Sequence, residues 1–278
     1  MSTVSGFSDS GPALSLTVGP HALEGEIPMS ILRKALGTLA TVMVLAAPAA
    51  AQDLTLDQVL AKHYEAIGGL DNWKALQSMR ATGHITLMPG TDAPFTVEVK
   101  RPHKVRMQFT FQGMTGVQAY DGTTAWMIMP FMGKPDPEEM PPEMSKDVIE
   151  QGDIDGALVN YKEDGDQVEL VGMTEMEGTK VYQLKVTHEN GDVEQYYLDA
   201  EYFVPIKVEG SREVQGNVVD YETILSDYKD VGGLMMPHSI DARPKGATQG
   251  QTITLDTIEV NVPLADSLFV MPKPDSAK

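Results

Sequence analysis

The residues of this chain that could carry chemistry do not stand at the spacings that a catalytic or metal site requires. Five histidines follow residue 51: His63, His84, His103, His188 and His238. None stands three or four residues from another, the spacing that puts two metal ligands on one helix face, so no metal site is expected and they read as surface or strand histidines. No Gly-x-Ser-x-Gly elbow, phosphate-binding loop or dinucleotide fingerprint occurs. A Ser/His/Asp set could be drawn from distant residues of any chain this size. Close carboxylates such as Asp153/Asp155 and Glu138/Glu139 are expected where 40 Asp+Glu face 21 Lys+Arg, and they read as solvated loops. The inventory points to no catalytic residue and no cofactor.

The apolar pattern is more specific. Val105, Met107, Phe109 and Phe111 alternate with Arg106, Gln108 and Thr110, the period of a half-buried strand. A turn at Asp121-Gly122 follows, then the apolar run Trp126 to Met132, then a Pro-, Met- and acid-rich segment, Pro135 to Met144, and a short helix-like piece. Many of the 17 methionines fall between Met107 and Met144. Methionine is unbranched and polarisable, so it lines surfaces that accommodate varied apolar shapes. Two readings stay open: ordinary core, or the wall of an apolar cavity under a greasy flap. On the second, the lining residues are Val105, Met107, Phe109, Phe111, Trp126, Ile128, Met140 and Met144. A bulge near Gly122 would swap which face of the Trp126 strand points inward.

The elements that would position these residues are mostly strands. Thr55 and Gln58 form a capping box for a first helix with Leu56, Val59, Leu60 and Ile67 at helical spacing, ended by Gly68-Gly69. A second short helix, 71–76, carries Trp73. From residue 79 onward, turn signals separate about eleven strands, at 79–88, 95–101, 103–112, 116–129, 167–173, 179–188, 193–198, 202–209, 216–228, 234–243 and 251–260. Short connections make this an antiparallel meander, which must curl into a barrel or split into a sandwich. The few helical segments suffice to plug one mouth of a barrel. Ser267-Leu268-Phe269 anchors the tail.

Residues 29–51 read as a secretory signal peptide. Arg33 and Lys34 precede an apolar run from Ala35 to Ala47 and the small-residue site Ala49-Ala50-Ala51, with cleavage expected after Ala51. Residues 1–28 read as an extension ahead of the true initiator, Met29. Residues 52–278 then form a single domain. Removing residues 1–51 lowers Lys+Arg from 21 to 19 and Asp+Glu from 40 to 37, leaving a net charge of about −18. Phosphate backbones would be repelled, so nucleic acid is not expected as a partner. With no cysteine there is no disulfide framework, thiolate metal site or lipidated cysteine.

Four short motifs carry a family resemblance. Val99-Lys100-Arg101-Pro102 resembles the Lys-Arg-Pro strand end of LolA, the periplasmic carrier of outer-membrane lipoproteins. About twenty residues on, Asp121-Gly122-Thr123-Thr124-Ala125-Trp126, closing on Met129-Pro130-Phe131, resembles that family's next hairpin. Leu268 to Pro272 resembles its C-terminal end. His63-Tyr64-Glu65-Ala66-Ile67-Gly68-Gly69, with Trp73, is similar to a branch of outer membrane lipoprotein-sorting proteins. The resemblance covers most of residues 52–272. It implies an unclosed antiparallel β-barrel with a helical lid over a hydrophobic cavity for acyl chains, with Arg101 as the latch that bonds lid backbone in the closed state. Read by its residues alone, Arg101 is a strand-end charge held by one of many acids. The family reading implies a monomeric periplasmic carrier whose partners are an acylated lipoprotein or lipid cargo, an inner-membrane donor and an outer-membrane acceptor. An envelope sensor of the same fold, or an enzyme on lipid or glycan substrates, are the alternatives. The chain is longer than a typical lipoprotein carrier and, over 135–144, richer in Met and Pro, and its strong acidity is not required by the fold, which leaves the cargo open.

Overall fold

The computed structural model describes residues 54–88, 91–214, 217–248 and 250–273. The expected extension and signal peptide lie outside the described residues. The chain begins with α1 (Leu56–Ala66) and α2 (Leu70–Ala75). The Thr55 hydroxyl accepts from the Gln58 amide and the Gln58 side chain accepts from the Thr55 amide, the reciprocal box that the sequence specifies. Gly68, at φ +101°, lets the chain turn between the helices. A Cβ there would lie 2.0 Å from the Gly233 carbonyl oxygen, so only glycine permits this approach.

The strands follow as β1 (Ser78–Met88), β2 (Thr91–Lys100), β3 (Lys104–Phe111), β4 (Met114–Tyr120), β5 (Ala125–Met129) and β6 (Lys134–Glu139). Next come α3 (Pro142–Glu150) and a long connection. The chain then forms β7 (Gln167–Met176), β8 (Thr179–Thr187), β9 (Val193–Asp199), β10 (Pro205–Val214), β11 (Asn217–Val231), β12 (Leu234–Pro244) and β13 (Gln251–Val260). They make one antiparallel sheet of 13 strands in the order β6-β5-β4-β3-β2-β1-β13-β12-β11-β10-β9-β8-β7. The sheet has two free edges, β6 and β7, and is therefore unclosed. Two arms, β1–β6 and β7–β13, meet at the β1/β13 seam, where the register shifts between Thr82 and Gly83.

The expected count of about eleven is corrected in two places. The segment 116–129 is two strands, because the Asp121 carboxylate accepts from the Thr123 and Thr124 amides and closes a tight turn between them. The flap expected over 135–144 begins instead as β6, paired to β5 through Trp126–Glu139 and Met127–Glu138. Pro135 and Pro137 lack the amide that a second neighbour would need, so they fit only an edge strand.

All three helices pack on one face, the inner face. Val59 and Leu60 of α1 bury against Val168, Leu184, Val186 and Leu198 of the second arm. Val148 of α3 joins Leu76, Val99, Val105, Met127, Met129, Met140 and Ile154 in the first arm's core. The outer face of the first arm is covered by the C-terminal segment, with Phe269 fully buried. Among the described residues, no helix is long and apolar enough to cross a membrane.

Candidate functional site

Register decides which side chains reach the inner face. Val99 pairs with Val105, Val97 with Met107 and Phe95 with Phe109, so these share the face that carries α3. Phe131, from the 3-10 turn Pro130–Met132 after β5, folds back onto this row. Its ring lies 5.6 Å from Phe109 and 6.1 Å from Phe111. Gly116 leaves room for this, since a Cβ there would come within 2.9 Å of both the Phe109 and Phe131 rings. Met140 is buried in the same core, and Met144 on α3 is partly exposed.

Trp126 and Ile128 are not in this wall. Their partners across β4, Ala119 and Val117, sit opposite Arg106 and Gln108, on the outer face. Trp126 packs there with Val117, Ala119 and Met271, and its indole N–H donates to the Phe269 carbonyl at 2.7 Å. The inner positions of β5 belong to Ala125, Met127 and Met129. The correction is a one-residue change of phase. A strand of five apolar residues, Ala-Trp-Met-Ile-Met, has no alternation of its own to reveal which set faces in.

The inner face is closed in this structure, because Val105, Met127, Met129, Met140, Val148 and Ile154 pack against one another. Depressions open elsewhere among the described residues. One is a groove of about 760 Å³ between the start of β1 and the segment 261–265. Another, about 80 Å³, is lined by Arg101, Pro102, His103, Gly152, Asp153 and Ile154.

Arg101 joins three elements beside this smaller depression. Its Nη1 and Nη2 donate to the two carboxylate oxygens of Asp155, each at 2.5 Å. Its Nε donates to the Leu76 carbonyl at 2.6 Å, and Nη2 also to the Trp73 carbonyl at 3.2 Å. The last carbonyls of a short helix have no partner within it, so a guanidinium fork is suited to this position. The bond to Asp155 holds the guanidinium pKa above its already high ordinary value. Asp155 was expected in a solvated loop. Its side chain is instead 1% exposed, and it also accepts from the Asn160 side-chain amide at 2.5 Å. Nothing in its local sequence marks it out; its partner lies 54 residues away. Gly152 brings the end of α3 onto the β2–β3 turn, where a Cβ would lie 2.8 Å from the His103 carbonyl oxygen.

α3 also touches the other arm. Lys146 Nζ donates to Asp192, in the β8–β9 turn, at 2.8 Å. The helix therefore packs on β3–β5 through Val148 and reaches β8–β9 through Lys146. His63, expected as an ordinary surface or strand histidine, is buried in α1. Its Nδ1 lies 2.9 Å from the Phe203 carbonyl oxygen, and burial lowers its pKa. Among the described residues, no group of three or more His, Asp or Glu could hold a metal ion.

No protein-family model matches the sequence, and no curated protein matches it either. Solved structures do match. A LolA superfamily protein from Nitrosomonas europaea aligns over 78% of this chain and 98% of its own, at 16% identity and TM-score 0.51. A domain named for outer membrane lipoprotein sorting, from Vibrio parahaemolyticus, aligns over 76% and 94%, at 11% identity and TM-score 0.50. A DUF1329 family protein from Desulfovibrio piger aligns over 76% and 97%, at 12% identity and TM-score 0.52. The class is thus an unclosed antiparallel barrel with helices on its inner face, and the particular fold is LolA-like.

Proposed function

We propose that this protein is a periplasmic carrier that takes acyl chains of lipoproteins or lipids between its sheet and α3 and passes them toward the outer membrane. It has no catalytic role in this reading. Its partners are the acylated cargo, an inner-membrane donor and an outer-membrane acceptor. The observation that carries the reading is an apolar inner face on which α3 packs, with the connection beyond α3 bonded to Arg101 through Asp155. Arg101 is the latch, and Val105, Met107, Phe109, Phe111, Met140 and Met144, with Met127 and Met129, form the wall and cover.

The energetics favour exchange of cover for cargo. Displacing Val148, Met140 and Ile154 from the core costs about 1.5–3 kcal/mol each, roughly 5–9 in all. A sixteen-carbon chain brings about fifteen buried methylenes at ~0.8 kcal/mol, roughly 12 kcal/mol. One chain offsets the loss, and two or three leave a margin for the cost of association. Release then requires an acceptor that offers a better acyl environment. Native mass spectrometry of the protein purified from its own periplasm tests the reading. Co-purifying acylated protein or lipid is the expected result, and protein that neither carries nor takes up an acylated molecule would overturn it.

A further inference from the structure

The two free edges of the sheet are unlike. On β6, Pro135 and Pro137 remove amides that a further strand would need, which closes that edge. β7 is ten residues long and carries neither proline nor lysine. It pairs with β8 alone, and among the described residues no other backbone bond reaches it. A row of amides and carbonyls is thus left unpaired along its far side. The strand is open at Gly172, where a Cβ would meet no atom of the described residues within 4 Å. Apolar side chains stand in water beside it, with Val171 57% exposed and Met173 48%.

Register restricts what can pair here. The ladder to β8 skips Val171, passing from Leu170–Leu184 to Gly172–Gln183, so a bulge divides the edge. The regular run beyond it is Gly172–Met176, which ends at the Glu177-Gly178 turn. Within this run Met173 and Glu175 share one face and Thr174 takes the other. Charge is distributed unevenly as well. Glu169 and Glu175 stand exposed on β7 itself, with Glu177 in the turn. The cations that answer them lie one strand further in: Lys185, 3.1 Å from Glu169, and Lys180, across from Glu175. A strand added beside β7 lies about 4.8 Å from it and about twice that from β8, so it meets the carboxylates first. A second copy of this chain would bring the same glutamates on an equally acidic body, and repulsion opposes it.

We propose that the β7 edge is a docking site for an extended, basic segment of a partner protein, which adds to the sheet as a further strand along Gly172–Met176. Main-chain bonds hold the segment, and its alternate side chains set the specificity. The segment carries an apolar residue opposite Met173 and a lysine or arginine opposite Glu175, two positions apart on one face. The prolines of β6 confine this addition to one edge. The inference stands apart from the carrier reading, because it uses the margin of the sheet. α1 packs on the inner face of β7 through Val168 and leaves that margin open.

Amide exchange of the full protein, with and without a probe peptide, tests this. The probe is a seven-residue peptide, acetylated and amidated, with threonine at its odd positions and lysine, valine and lysine between them. Residues 172–176 should gain protection as it binds. Glutamate in place of its lysines should weaken binding about ten-fold, since attraction across the strand pair becomes repulsion. Methylating the backbone nitrogens of one alternate set of residues should weaken binding about as much. Methylating the other set, which faces away from β7, should not. A folded Met173→Lys protein, changed at an exposed position, should also bind about ten-fold more weakly. Protection that appears only elsewhere, or equal binding of the glutamate peptide or of both methylated peptides, overturns the proposal. Free protein that dimerises in sedimentation and protects 172–176 overturns it too, and assigns the edge to a second copy. A fluorescent fatty acid separates the two ideas: uptake of the fatty acid without peptide binding removes the docking edge and keeps the carrier, and the opposite pair of results does the reverse.

Discussion

Replacing Arg101 by leucine should tighten acyl-chain binding while weakening the empty protein. The substitution removes two bonds to the Asp155 carboxylate and two to the carbonyls of Trp73 and Leu76. The Asp155 side chain is 1% exposed, so it would stay buried with the Asn160 amide as its remaining side-chain donor. Removing one partner of a buried pair costs about 3–5 kcal/mol. Arg101 is itself 27% exposed, which places the pair at a margin and sets the expectation near 3 kcal/mol. If this energy belongs to the closed state alone, the closed-to-open equilibrium moves by about two orders of magnitude toward open. A ligand that binds the open state gains up to the same factor, so a fluorescent fatty acid should bind roughly ten- to a hundred-fold more tightly. The Leu76 and Trp73 carbonyls and residues 151–160 should lose protection in parallel, read by hydrogen exchange at α2 and the connection after α3. Asp155→Asn keeps an acceptor for the fork and should show a smaller shift in the same direction. Unchanged or weaker probe binding by a folded Arg101→Leu protein would refute the latch and leave Arg101 as a strand-end ion pair.

The two tryptophans should report different faces: a brominated fatty acid should quench Trp73, packed in the inner core, and leave Trp126, on the outer face, unaffected, as single-tryptophan variants can show. Gly152→Ala should loosen the end of α3 by about 1–3 kcal/mol, since its methyl would meet the His103 carbonyl at 2.8 Å; urea melts and exchange at residues 149–155 read this. Two histidines should shape stability against pH in separate windows. His63 has a folded pKa lowered by burial, so its stability contribution is lost as pH falls below 6.5, at up to about 1.4 kcal/mol per pH unit. His188 has a raised folded pKa, so its contribution is complete below 6.5 and is lost as pH rises through the folded value. Urea unfolding at pH 5 to 9 should show His63→Phe flattening the acid side and His188→Gln flattening the alkaline side.

Local signals in the chain determined the parts of the molecule that depend on near neighbours. The Thr55/Gln58 box starts α1, the alternation from Val105 to Phe111 defines β3, and Asp121-Gly122 turns the next hairpin. Arg101 was singled out only by the Lys-Arg-Pro resemblance; its own residues gave no more than a strand-end charge held by one of many acids. Tertiary structure decided what depends on distant partners. Asp155 was indistinguishable from other loop acids until a register 54 residues away brought it under the guanidinium. The all-apolar β5 could bury either face, and the C-terminal segment, by covering the outer one, gave Trp126 a buried partner 143 residues on. Likewise β6 reads as a flap because prolines argue against a strand, and only an edge position removes the objection. Asp166, His188 and Glu194 come from separate stretches, and only the pairing of the strands brings both carboxylates onto the His188 ring. A sequence records the propensity of each segment, but which face is wet, and which charge meets which, is set when the segments exclude water from one another.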